Sequence, residues 1–226
     1  MFKILLLAPP AAGKGTQAKN ICEVYNIIHI STGDLLRKER EKKKNNSFNL
    51  ESGNLVDDNV VLGLLEKRID NSDCLKGYVL DGFPRNISQA HLLDNLLENR
   101  DEKLDVVILL ELPYEEAKNR ITGRLSCMSC GQVYNDKIES LMPTEKNKCD
   151  FCLNHPLIKR EDDNETTFEN RYNIYLKETS PLIEYYENKK ILVRINSNQE
   201  ANKVFEEIKD RLKEISKWST LGPKEK

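Results

Sequence analysis

The sequence predicts an α/β fold built on a parallel sheet covered by helices on both faces, and three observations carry that expectation. Short apolar runs recur at 2–8, 27–30, 78–80, 106–110 and 191–195, each the length of a strand buried on both sides. Stretches with helical spacing separate them, as in 16–25 through Ala18, Ile21, Cys22 and Tyr25, and such alternation marks a parallel sheet. With 226 residues, the chain can bury that sheet as one core and still carry small insertions.

Composition narrows the function classes. The 35 basic and 37 acidic residues leave a formal charge of -2, so no global field favours nucleic acid or an anionic membrane, and an anion site must be built locally. No apolar run approaches the roughly 20 residues that span a bilayer. Residues 1–12 superficially mimic a secretory signal, but their apolar stretch is short and runs directly into a glycine–lysine motif. The expectation is a soluble, cytoplasmic monomer without nucleic-acid or membrane partners. Four of the six cysteines form two C-x-x-C pairs, a usage that suits a reducing compartment and a metal rather than a disulfide scaffold.

Two segments interrupt the alternation. Residues 31–61 hold a charged run at 37–44 and a polar stretch at 45–52, with little to bury, while 124–160 place Pro, Gly, Asn and Lys around the cysteine pairs. Both read as insertions at the ends of core elements, where loops carry function. The expected division is core at 1–31, a first insertion at 32–61, core at 62–123, a second insertion at 124–161, and core with a tail at 162–226. A single long amphipathic helix is expected over 164–188, then the last strand, a helix over 199–215 and a frayed tail.

The first candidate site follows the first strand. Ala8-Pro9-Pro10-Ala11-Ala12-Gly13-Lys14-Gly15-Thr16 leads from strand to helix, the context of a phosphate loop: backbone N–H groups cradle phosphates, the lysine reaches the β and γ groups, and the Thr16 hydroxyl sits by Mg²⁺. Ala8 stands where that pattern begins with glycine. Thr32-Gly33-Asp34-Leu35-Leu36-Arg37 follows the second strand and Asp81-Gly82-Phe83-Pro84-Arg85 the third, both at the strand ends where open α/β sheets bind ligands. Arg85, Arg120, Arg124, Arg160 and Arg171 fall at junctions of core and insertions. Guanidinium forks suit phosphate oxygens, so the set reads as a clamp on several phosphates.

Taken in order, these motifs resemble the adenylate kinases of the long type, nearly end to end except for the tail. The resemblance implies a P-loop kinase core with a five-stranded parallel sheet, an NMP-binding insertion and a lid. It also implies Mg²⁺-dependent, reversible transfer of the γ-phosphoryl of ATP to AMP. On the matching positions, Ala11, Ala12, Gly13, Lys14, Gly15 and Thr16 would hold the donor phosphates, with Arg120, Tyr134 and Gln199 near the donor base. Thr32, Gly33, Arg37, Leu55, Val56, Gly82, Arg85 and Gln89 would hold AMP. Arg124, Arg160 and Arg171 would clamp phosphates from the lid side, Lys14 and Arg85 would complete the catalytic set, and Asp34 and Asp81 would join Thr16 in the magnesium shell. Phosphoryl transfer asks mainly for positioning and charge stabilisation, so no dedicated acid or base is required.

Cys127-x-x-Cys130 and Cys149-x-x-Cys152 lie eighteen residues apart. Four thiolates at that spacing suit tetrahedral structural Zn²⁺, and zinc-bearing lids occur in the family resembled. Cys22 and Cys74 read as ordinary thiols. Two departures from the family pattern stand out: Ala8 and Ala11 occupy positions where glycine is usual, and the insertion between Arg37 and Leu55 is shortened. They leave a GTP-dependent AMP kinase and a weakly active or inactive nucleotide-binding relative as alternatives, with a zinc-stabilised binding module as a remote third.

Overall fold

The computed structural model describes residues 2–43, 57–152, 155–159 and 163–221. Strand β1 (Phe2–Leu7) leads through a loop into α1 (Lys14–Tyr25), then β2 (Ile28–Ser31), α2 (Thr32–Lys43) and α3 (Asp58–Ile69). After a single 3₁₀ segment come β3 (Gly77–Asp81), α4 (Ile87–Glu98), β4 (Val106–Glu111) and α5 (Tyr114–Thr122). Three short strands, β5 (Arg124–Cys127), β6 (Val133–Asn135) and β7 (Leu157–Ile158), form a separate sheet. The chain returns to the core through α6 (Glu165–Ile174), α7 (Pro181–Asn188), β8 (Leu192–Asn196) and α8 (Ala201–Leu221).

The main sheet has the order β2-β3-β1-β4-β8 with every pair parallel. Successive strand residues face opposite sides, so β1 sends Leu5 and Leu7 into one apolar layer and Ile4 and Leu6 into the other. The first layer packs on α3, α4 and α7 through Leu65, Leu93 and Tyr186; the second packs on α1, α6 and α8 through Ile21, Phe168 and Ile208. From β1 the chain moves to β2 and β3 on one side and later to β4 and β8 on the other. The crevice beyond the C-terminal end of β1 is therefore the topological switch point, the place where such sheets bind ligands.

All five expected core strands form, shifted by a residue or two. Helical structure differs more. The segment read as irregular after the second strand begins as α2, whose polar surface hides its period, and α3 crosses the expected boundary at 61/62. The single helix expected over 164–188 is divided by a π-helical turn, Tyr175–Thr179. Pro181 supplies the reason: its ring cannot lie in a regular helix, and the turn widens until Ser180 N–H reaches the Tyr175 carbonyl at 2.8 Å. The last helix runs to Leu221, past the expected end at 215.

Gly77 opens β3 at φ 112°, and a Cβ built there would lie 2.3 Å from the Phe2 carbonyl oxygen. Both the backbone angle and the approach to β1 demand glycine. Gly77→Ala is expected to lose about 2 to 4 kcal/mol of stability, lowering Tm by several degrees; an unchanged Tm would overturn this account of the β1–β3 edge.

Candidate active site

The loop after β1 turns through Ala11 at φ 63° and Gly13 at φ 81°, and the second delivers the chain into α1. Helix α1 starts at Lys14 with no side-chain cap, so its first N–H groups point into the crevice, where an anion would satisfy them. A Cβ on Gly13 or Gly15 would meet nothing within 4 Å, so this loop is open on its ligand side. Ala12 is buried, whereas Gly15 and Thr16 are exposed in the first turn. Ala8 is not among the described positive-φ residues. The expected backbone strain is therefore confined to Ala11, because Ala8 merely extends β1 and packs its methyl on the core.

Asp81, at the end of β3, ties this loop to the sheet. Lys14 Nζ lies 3.1 Å from one carboxylate oxygen, and His29 Nε2, from β2, lies 3.1 Å from the other. Burial alone would raise the Asp81 carboxyl, but Lys14 and His29 outweigh it and hold the group well below the usual carboxylate range. His29 had no part in the sequence reading. Its signal was only position, at the C-terminal end of a strand.

Next to Asp81 the expected acceptor residues converge. The buried Thr32 hydroxyl donates to the Asp81 carbonyl at 3.3 Å, and a Cβ on Gly82 would meet that hydroxyl at 2.8 Å and the Arg85 guanidinium at 3.5 Å. Arg85 Nε donates to the Gly82 carbonyl at 2.9 Å, and its backbone N–H donates to Gln89 Oε1 at 2.7 Å. Gln89, itself buried, reaches Asp58 of α3 through Nε2 at 2.7 Å. The Arg37 guanidinium lies over Gly33. The Arg85 pKa is lowered by the protein surrounding the group and by the charge of Arg171, against the pull of Asp81, although the side chain keeps contact with solvent. Leu55 and Val56 lie outside the described residues.

The Asp34 carboxylate, in the first turn of α2, is hydrogen-bonded to Arg37, because three residues along a helix bring these opposite charges together. Burial would raise its carboxyl, but Arg37, the Ser31 hydroxyl and His29, the ring bound to Asp81, hold it below its ordinary value.

On the donor side, Arg120 Nη2 donates to the Ser197 carbonyl at 2.9 Å, beside Gln199, whose amide bonds the Asn196 carbonyl at 2.8 Å. Arg124, the first residue of β5, is held in a two-pronged ion pair by Asp163, whose side chain is fully buried. Arg160 lies outside the described residues. The Tyr134 ring is buried in the insertion's own small core, and its hydroxyl accepts from Asp150 N–H at 2.8 Å and meets Cys149 Sγ at 3.5 Å.

The four sulfur atoms of Cys127, Cys130, Cys149 and Cys152 lie within 4.8 Å of one another. Tetrahedral zinc with Zn–S bonds of about 2.3 Å spaces its sulfurs about 3.8 Å apart, and Cys130 and Cys149 already stand at 3.7 Å. Burial would raise the Cys149 thiol, but the Tyr134 hydroxyl and the N–H groups of Cys152 and Phe151 bring it down to about 6. The donor set thus fits one closed structural site.

A parallel sheet with a glycine–lysine loop at its switch point and clustered arginines around the same crevice defines a P-loop nucleotide-binding protein. The family model for adenylate kinase matches residues 6–191. An adenylate kinase from Clostridium kluyveri is 43% identical over 220 residues, covering 96% of this chain and all of the relative. One from Clostridium perfringens is 44% identical over 212 residues, with 92% and 96% covered. Another, from Archaeoglobus fulgidus, is 43% identical over 218, with 95% and 99% covered. The chain belongs to the adenylate kinase family, and with it to the nucleoside monophosphate kinases.

Because the Asp81 carboxyl is depressed, the stability it contributes is present above its unfolded value near pH 4 and is lost as pH falls below that. Asp81→Asn should therefore lower Tm at pH 7, and the gap from the unaltered protein should begin to narrow only as pH falls below about 4. A gap independent of pH would overturn the ion-pair account.

Proposed function

We propose that the protein catalyses reversible, Mg²⁺-dependent transfer of the γ-phosphoryl of ATP to AMP, giving two ADP. The observation that carries this reading is that donor loop and acceptor cluster meet on two adjacent residues: Lys14 on Asp81, and Arg85 on Gly82. A terminal phosphate cradled by Gly13, Lys14, Gly15 and Thr16 would then lie beside an AMP phosphate held by Arg85, Arg37 and Arg171. An oxygen of the AMP phosphate attacks the γ-phosphorus, the bond to the β–γ bridging oxygen breaks, and ADP leaves with that charge. Lys14 and the arginines stabilise charge on the phosphoryl group in flight.

Thr16, exposed in the first turn of α1, and Asp81, kept ionised by its neighbours, fit the hard cation this chemistry uses; Mg²⁺ would supply neutralisation of the β- and γ-oxygens. Arg120, the 197–199 segment and the β6 backbone are assigned to the donor base, and Leu55, Val56 and Gln89 to AMP. Residues 32–61 serve as the acceptor insertion and 124–161 as the lid, closed by Arg124 and Arg160 onto the phosphates and stapled by Zn²⁺ on the four cysteines. Base recognition largely through backbone makes GTP the alternative donor to test. A cytoplasmic monomer acting on small molecules is part of the same proposal; among the described residues no helix is long and apolar enough to cross a membrane.

Lys14→Met should reduce turnover by at least about a hundredfold while leaving the far-ultraviolet circular dichroism unchanged. A coupled assay with AMP, Mg²⁺ and each triphosphate in turn reads both the reaction and the donor base. Near-normal turnover in the folded variant would overturn the mechanism.

For the lid, elemental analysis of protein purified without chelator should find one zinc per chain, and chelation should lower Tm and expose 124–161 to protease while the core persists. Protein without metal would overturn the assignment.

A further inference from the structure

Arg85 is fixed from three directions. Its N–H is held by Gln89 and its guanidinium by the Gly82 carbonyl. The third hold comes from far along the chain: the Thr179 hydroxyl donates to the Arg85 carbonyl at 2.9 Å across 94 positions.

Thr179 occupies a particular place in the fold. It is the last residue of the π-helical turn Tyr175–Thr179, immediately before Ser180 and Pro181, and the same run of chain carries Arg171 eight positions earlier on α6. A π turn takes up more residues than an α turn, so it rotates and shifts whatever follows it relative to what precedes it. Without that widening, the residue at 179 would face another direction relative to Arg171. The turn's own bonds keep it wide: Ser180 N–H reaches the Tyr175 carbonyl at 2.8 Å, and the Ser180 hydroxyl reaches the Leu176 carbonyl at 2.6 Å.

We infer that Thr179 is a positioning residue for the acceptor phosphate: its hydrogen bond to the Arg85 carbonyl couples the 82–86 loop to the helix bearing Arg171, fixing the spacing of the two guanidinium groups that share that phosphate. This rests on the assignment of Arg85 and Arg171 to phosphate binding above. Thr179 itself touches no phosphate. A guanidinium pair grips one phosphate well only when both forks are aimed in advance, since a misplacement of about 1 Å in a phosphoryl-transfer site can lower the rate by up to a hundredfold. Gln89 holds the Arg85 N–H, and Thr179 supplies the matching hold on the Arg85 carbonyl.

The test compares Thr179→Val, which keeps the branched shape and removes the donor, with Thr179→Ser, which keeps the donor. Valine should raise KM for AMP about three- to tenfold and lower kcat by a similar factor, leave KM for ATP within twofold, and leave Tm essentially unchanged; serine should restore the AMP terms. Unaltered AMP kinetics in the valine variant would overturn the inference. So would equal losses for both substrates, or a loss that serine does not rescue, because those mark a structural role alone. Absence of AMP-dependent turnover in the unaltered protein would instead overturn the kinase reading, and calorimetric affinity for AMP in the three proteins would then decide the role of Thr179 by the same criteria.

Discussion

The carboxylate of Asp81 is the junction on which the arrangement of the crevice depends. It closes the C-terminal end of β3, takes Lys14 from the loop after β1 on one oxygen and His29 from β2 on the other, and its own carbonyl receives Thr32 at the start of α2. Three neighbouring strand ends are thereby held to one residue. Lys14 and the His29 ring favour the ionised carboxylate strongly enough that burial does not raise its pKa. The same junction places the glycine–lysine loop beside the Thr32–Gly82–Arg85 cluster, so the sheet order that puts β3 beside β1 also brings these two groups together.

The cysteine-bearing insertion obeys a different constraint. Its buried apolar residues are Cys127, Tyr134, Cys149 and Leu157, too few to offset the entropy of ordering such a segment. Four thiols converging within 4.8 Å answer that need, and Tyr134 is drawn inward to support Cys149 and the Asp150 N–H. At its stem, Asp163 takes both prongs of Arg124, and the Lys159 and Lys137 amines reach the Thr122 carbonyl and hydroxyl. These charged contacts join neutral ones, from Asp136 N–H to the Gly123 carbonyl and from the Asn135 amide to the Arg120 carbonyl, in tying the insertion to the core.

Much of the fold was legible because its sheet is parallel. Strands buried on both faces appear as continuous apolar runs, and all five core strands were visible in that way. The glycine–lysine loop, Asp81, Arg85 and the cysteine pairs were legible too, since each is a local motif whose chemistry fixes its spacing. What sequence did not reveal are pairings between distant residues. His29 with Asp81, Asp163 with Arg124 and Thr179 with Arg85 are separated by 52, 39 and 94 positions and leave no periodic trace. Helix α2 was hidden for the opposite reason: its run of charges supports a helix through pairs three and four residues apart, yet offers little apolar period to read. The π turn follows from Pro181, a signal present in the sequence and overridden by the amphipathic pattern around it.

Ala11 shows how such a site can carry local strain. Its φ of 63° lies in the left-handed region, where a Cβ costs roughly 1 to 2 kcal/mol. The residue that must turn hardest toward the crevice, Gly13, remains glycine, with a still larger φ and open space beside it. Ala12 between them is buried, and Ala11 packs on the same apolar layer, so the methyl that costs backbone energy also removes apolar surface from water. One methyl buried recovers about 0.8 kcal/mol, the same order as the strain. An alanine can therefore stand at this position without unravelling the loop, provided that Gly13 makes the final turn into α1. The departure from glycine shifts the balance between backbone freedom and packing on the core side of the loop, while the face open to phosphate stays clear.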